Sequence, residues 1–173
     1  KESVMKNLNK IPFIRSTRRN HALEHATMKV LAERFKGVKM MGHSNPGGFL
    51  LFADLPTELV TDAVLEARRR LQAGESELAV HPGCGTNIAA SSFLAGSASF
   101  VTLMALSRGK TPKWWQILLS TIVAVPVYIL SKPIGPRLQE TITTDADIED
   151  LDVNLVTSQK TRNGFFHQIS TRA

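Results

Sequence analysis

The 173-residue chain has one cysteine, Cys84, one tyrosine and two tryptophans. A lone cysteine excludes an internal disulfide and fits a reducing compartment. Aromatic residues are scarce at 6% and do not alternate with the basic ones. That excludes the aromatic-and-basic pattern of a nucleic-acid module, so no nucleic-acid partner is expected despite a net charge of +6. The basic residues are dispersed: Lys1, Lys6, Lys10, Arg15, Arg18 and Arg19 near the start, Arg68, Arg69 and Arg70 in the middle, Lys160 and Arg162 near the end. Such charge is expected to face water or anionic headgroups. No long apolar run follows the first basic residues, so no signal peptide is expected. Internal repeats and low-complexity tracts are missing too.

Charge is missing altogether from two stretches, Asn87–Ser107 and Trp114–Ser131. A bilayer core takes about 20 apolar residues per helix, and both stretches are near that length. Between them lies RGKTPK, with three positive charges and no negative one. Trp114, Trp115 and Tyr128 sit near the ends of the second stretch, as interface aromatics do. The first stretch is rich in Gly, Ala and Ser, which permits close helix contact in lipid. Pro126 is expected to kink the second. Two buried helices of a soluble bundle are the alternative, and the Ser and Thr content of the first stretch suits them. The charge-free runs and their short basic turn read best as a transmembrane helical hairpin, with membrane lipid as a partner.

What is present before the hairpin is a helix expected over Thr17–Lys36, with Ser16 or Thr17 as N-cap and Gly37 as its stop. It carries His21-Ala22-Leu23-Glu24-His25, the H-x-x-E-H spacing. Residues four apart lie one turn apart on one face, so His21 and His25 can point at one metal ion, with Glu24 beside them. Two imidazoles as ligands and a carboxylate to take a proton are the local kit for a metal-activated water. The same side of the helix carries Met28, Leu31, Ala32 and Phe35, an apolar stripe; Thr27, Lys29 and Glu33 fall elsewhere. Buried His and Glu are costly unless paired or bound to something. The alternative is a His–Glu hydrogen-bonded pair closing a core helix.

Val38–Met41 and Phe49–Ala53 are expected to form a β-hairpin with a long tip over Gly42–Gly48. A second helix is expected from Pro56 to Ala73, with Val60, Ala63, Val64, Ala67 and Leu71 as its apolar face. Arg68, Arg69 and Arg70 read as a solvated or headgroup-facing edge. Leu78–Val80 reads as a short strand entering His81-Pro82-Gly83-Cys84-Gly85-Thr86-Asn87. In that Gly-rich turn His81 and Cys84 are a usable metal pair, since imidazole and thiolate both suit zinc. An inert structural turn is the alternative. Thr86 or Asn87 can cap the following helix. Past the hairpin, Glu140–Thr144, Val153–Thr157 and Phe165–Ser170 have β-type composition and are expected to complete a small mixed sheet. The fold class expected is α+β, a small mixed domain with an inserted two-helix transmembrane hairpin. Residues 1–86 form its N-terminal part, 87–131 the hairpin, and 132–173 a C-terminal segment packing back on the domain.

The pentad resembles the inverzincin signature of the insulysin-like metallopeptidases. That resemblance implies zinc on His21 and His25, Glu24 as general base, and a third ligand from a downstream glutamate, for which Glu75 and Glu77 are the loose candidates. NHALEHAT (Asn20–Thr27), PGGF (Pro46–Phe49) and HPGCGTN (His81–Asn87) resemble an uncharacterised family of small bacterial membrane proteins. That second resemblance implies an architecture and no activity.

Two functional readings follow. In the first the protein is a membrane-anchored zinc hydrolase, a peptidase or amidase, with His21, His25 and His81 or Cys84 as ligands and Glu24 as base. In the second it is a non-catalytic accessory subunit of a larger membrane complex, photosynthetic or respiratory. The histidines are then structural, or they ligate a pigment, a haem or a structural metal. Other membrane-protein subunits are its partners in that case. Ligation by all four of His21, His25, His81 and Cys84 would close the site and leave no water position. The basic turn is pulled inward, whereas the intact N-terminal part and the free cysteine are more easily kept inside. The expected location is the inner, cytoplasmic membrane, with the soluble domain in the cytoplasm.

Overall fold

In the computed structural model, which describes residues 9–172, helix α1 spans Pro12–Arg34. Lys1 and Lys6 lie outside the described residues. Pro12 opens α1: its fixed φ suits the first turn, and it brings no N–H to be left unpaired. The helix therefore starts a turn before the cap expected at Ser16 or Thr17, and the Thr17 hydroxyl instead donates to the Phe13 carbonyl at 2.8 Å. Gly37, with φ 81°, turns the chain out of the helix end.

Strands β1 (Met40–Asn45) and β2 (Gly48–Ala53) form the hairpin, and Asn45 pairs with Gly48. Only Pro46 and Gly47 form the tip, so the long tip expected over Gly42–Gly48 is corrected. Ladder pairing to the apolar β2 overrides the turn propensity of Gly42, His43, Ser44 and Asn45. Helix α2 (Thr57–Gln72) buries Val60, Ala63, Val64, Ala67 and Leu71, the face its period predicts. Arg69 is exposed on the solvated edge expected, while Arg68 and Arg70 find partners. Arg68 donates to the Leu151 carbonyl at 2.7 Å, and Arg70 reaches Glu33 and Glu75, both at 2.8 Å.

A 3₁₀ turn, Ser76–Ala79, stands where a strand was expected at Leu78–Val80. Its carbonyls serve α1 rather than a sheet: Glu77 O accepts from Lys29 and Ala79 O from His25. A π-helical turn, Gln139–Thr143, likewise replaces the β segment expected at Glu140–Thr144. Strands β3 (Asp152–Thr161) and β4 (Gly164–Arg172) complete a sheet of order β1-β2-β4-β3. All neighbours are antiparallel, which corrects the mixed sheet. The tight β3–β4 hairpin returns β4 beside β2, antiparallel to both of its neighbours.

The core lies between α1, α2 and the inner face of the sheet. Leu23, Leu31, Phe49, Leu51, Ile148, Leu151 and Ile169 are each under 2% exposed, and each such side chain contributes roughly 1.5–3 kcal/mol by burial. Helix α1 touches β1, β2, α2 and both short turns. It is therefore buried nearly all round from Arg18 to Met28, not on one stripe. Thr27, off the expected stripe, is fully buried, while Ala32, on it, is exposed. Asn20 holds α1 to the sheet: its amide donates to the Asn45 carbonyl at 2.8 Å and its oxygen accepts from Thr171 at 2.7 Å.

The chain divides into two compact units. One runs up to His81 and resumes at Gln139; it holds everything described so far. The other is Pro82–Leu138, with α3 (Gly85–Ser107), α4 (Trp114–Ser131) and the short α5 (Ile134–Leu138). Helix α3 starts with Cys84 at its N-cap, so the caps expected at Thr86 or Asn87 are corrected. Asn87 instead donates to the Pro82 carbonyl at 2.8 Å, which ties down the turn before the helix. Helices α3 and α4 pack together as a hairpin, and both are long and apolar enough to cross a membrane. Phe93, Phe100, Ile122 and Leu130 point outward from it, exposed. The whole is an α+β fold with a two-helix apolar hairpin.

Candidate metal centre

His21 and His25 sit one turn apart near the middle of α1, and their ring centroids are 4.2 Å apart. Each Nδ1 meets a backbone carbonyl: Thr143 O at 3.0 Å for His21, and Ala79 O at 2.8 Å for His25. A carbonyl can only accept, so both Nδ1 atoms carry a proton, and in the neutral rings Nε2 is the nitrogen left to ligate. Anchoring one nitrogen so that the other can ligate is the usual support of a metal-binding histidine. A ligand nitrogen of each ring lies within 4.8 Å of the other's. Tetrahedral zinc needs ligand atoms about 3.3 Å apart for bonds of about 2 Å, which small side-chain rotations reach. The two anchoring carbonyls belong to the 3₁₀ turn and the π turn, the two segments that sequence reasoning took for strands.

His81 joins them. Its ring centroid lies 5.7 Å from that of His25. The chain reaches it two residues after Ala79, so the turn that anchors His25 also delivers His81. Gln139 fixes the backbone there: its side-chain oxygen accepts from His81 N–H at 2.8 Å, and its amide donates to His81 O at 3.0 Å. Gln139 is fully buried. Cys84 follows three residues later, at the N-cap of α3 in the hairpin unit. Glu75, one of the loose candidates for a third ligand, is bound by Arg70 at 2.8 Å, and Glu77 is exposed.

Glu24 is 4% exposed and reaches the sheet. The Ser44 hydroxyl donates to its Oε2. A Cβ on Gly42 would fall 2.1 Å from its Oε1, so the glycine on β1 leaves the space that the carboxylate fills. Gly48 answers a similar demand in the PGGF turn. Its φ is 144°, and a Cβ there would lie 1.9 Å from the Ile169 carbonyl.

Gln139, Ser44, Gly42 and the carbonyls of Ala79 and Thr143 were not found from sequence. Only Gly42 leaves a signal, as a glycine inside a strand, which marks close approach by another group. Arg18 and Arg19 of α1 were read as dispersed surface charge and are buried instead. Arg18 donates to the carbonyls of Ile142 at 2.7 Å and Thr144 at 2.8 Å, and Arg19 pairs with Asp150. They fasten to α1 the segment that supplies Thr143 O to His21.

No solved structure matches the chain. An uncharacterized protein of Picosynechococcus sp. is 29% identical to it over 155 residues, which is 83% of this chain and 74% of that relative. A family model described as a domain of unknown function (DUF6391) matches residues 16–156. The match takes in His21, Glu24, His25, His81, Cys84 and both hairpin helices, so the chain belongs to DUF6391, a family of unknown function.

Proposed function

We propose that this protein is a membrane-anchored zinc-dependent hydrolase, a peptidase or amidase, held in the cytoplasmic membrane by α3 and α4 with its α+β unit in the cytoplasm. One observation carries the reading: His21 and His25 both present Nε2 as the ligating nitrogen because backbone carbonyls occupy their Nδ1 atoms. His81, beside His25, is the third nitrogen donor, and Cys84 is the alternative, three residues on. A zinc ion held by three protein ligands supplies Lewis acidity toward a carbonyl and lowers the pKa of water. Glu24 accepts the proton of the attacking water and returns it to the leaving nitrogen. Ser44 and Gly42 fix the carboxylate for that work.

Donor count favours one other outcome. If His21, His25, His81 and Cys84 all bind, the site is closed and structural, and the protein is a non-catalytic subunit. Glu24→Gln separates the cases. In a hydrolase it abolishes turnover of a peptide library and leaves zinc bound. If Glu24 only orients a ligand, zinc affinity falls by about 10- to 100-fold. Wild-type protein that holds zinc and turns over nothing in the library is the subunit's result.

A further inference from the structure

We propose that the turn between α3 and α4 is a binding site for the phosphate of an anionic phospholipid headgroup. The inference rests on the membrane-spanning reading of the two helices. The unit Pro82–Leu138 holds five cations and no carboxylate. Three of the five, Arg108, Lys110 and Lys113, fall in the one short turn. With Ser107, Thr111 and Trp115 they line a cavity of about 390 Å³, the small end of the range for ligand pockets.

The frame of this cavity is fixed. Gln116 is 7% exposed. Its oxygen accepts from Lys113 N–H at 2.8 Å, and its amide donates to Leu106 O at 2.8 Å, so the end of α3 is tied to the start of α4. Lys110 N–H donates to Ser107 O at 3.0 Å. Arg108 takes the left-handed conformation, with φ 50°, and is the one non-glycine residue among the described residues to do so. It is the C-cap of α3, its N–H donating to Met104 O at 3.1 Å, and so fixes where the helix ends and the turn begins.

Depth selects the ligand. Trp114 is 76% exposed, and Met104, Ile117 and Leu118 present apolar surface about one turn below the cations. An acyl chain covers that surface while the phosphate meets the guanidinium and ammonium groups, which is the order of a lipid from tail to head. A soluble anion has no use for the apolar wall. In the proposed topology the turn also lies on the non-cytoplasmic side, where lysine and arginine are ordinarily few; each bound phosphodiester offsets one of the three positive charges there.

Trp114 and Trp115 are the two tryptophans of the chain, so tryptophan fluorescence reports on this turn alone. Full-length protein is reconstituted in phosphatidylcholine vesicles carrying the same minor fraction of brominated phosphatidylglycerol or brominated phosphatidylcholine. Quenching by the anionic lipid is expected to exceed that by the zwitterionic one several-fold. The preference should vanish in the Arg108→Gln, Lys110→Gln, Lys113→Gln variant. Equal quenching by both lipids in the wild type overturns the site and leaves the membrane reading intact. A preference that survives the triple substitution overturns it as well. Loss of the preference on adding glycerol phosphate at matched ionic strength gives the site to soluble phosphates and overturns the lipid assignment. Quenching by neither lipid overturns the membrane reading, and the site with it.

Discussion

Gly42→Ala tests whether β1 is shaped around Glu24. The added methyl would stand 2.1 Å from Oε1, 2.6 Å from Cδ and 2.8 Å from Cγ of Glu24, where ordinary contacts are about 3.5–4 Å. Backbone strain is not the obstacle, because Gly42 does not take a left-handed conformation. A carboxylate at a surface would swing aside. Glu24 is 4% exposed and has no solvent to swing into, and its Cγ is too close as well. Overpacking of this kind costs about 1–3 kcal/mol. Losing the Ser44 hydrogen bond to a charged acceptor costs about 1.5–3 kcal/mol more. Both losses come from one displacement and do not add in full, so roughly 2–4 kcal/mol is expected in total. In a Glu24→Ala background the space is empty, and the same change should cost less than about 0.5 kcal/mol. Urea unfolding of the four full-length proteins in detergent, followed by circular dichroism, gives the coupling energy. A value above about 1.5 kcal/mol is expected, as for residues in contact; additivity within about 0.5 kcal/mol would refute the reasoning.

Three further outcomes are expected. His167 is fully buried in β4. Burial pushes its imidazole below the ordinary value of 6.5, and the backbone at Ala53 and Leu55 offsets only part of that. The unfolded chain therefore takes the proton first, so this contribution to stability is full above about pH 6.5 and is lost as pH falls below it. His167→Leu should raise the melting temperature more at about pH 5 than at about pH 7.5, and equal shifts would contradict it. With His81 as the third donor, cobalt-loaded protein should show no thiolate-to-cobalt charge-transfer band; a band that Cys84→Ser abolishes would put Cys84 in the ligand set. Carbonate and high salt should leave the protein in membranes until detergent is added, and release without detergent would end the reading of α3 and α4 as membrane spans.

What the sequence made legible depended on local pattern. The periodic apolar face of α2, the charge-free helices α3 and α4, and the β-rich runs at Phe49 and Phe165 each carry their signal within a dozen or so residues. The pairing of His21 with His25 is legible for the same reason, being helical spacing. The segments that failed are those whose structure is set from outside. Leu78-Ala79-Val80 and Glu140–Thr144 have strand composition, yet their carbonyls are claimed by α1 side chains, His25 from one and His21 and Arg18 from the other. Asp145 through Asp152 is an acidic stretch with no apolar period of its own. Ile148 and Leu151 nonetheless enter the core, and Asp145 and Asp150 reach Arg18 and Arg19 across more than a hundred residues of chain. No spacing rule reports such distant partners. The clamp of Gln139 on His81 is hidden for the same reason, and with it the cause of the third imidazole's placement.

The central claim is that His21 and His25 bind a metal, and elemental analysis of the purified full-length protein tests it most directly. Wild-type protein prepared in zinc-supplemented, chelator-free buffer should carry about one zinc per chain. The His21→Ala, His25→Ala variant should carry almost none while keeping its helical circular dichroism. Wild-type protein free of metal, or a folded variant with as much zinc as the wild type, would contradict the claim.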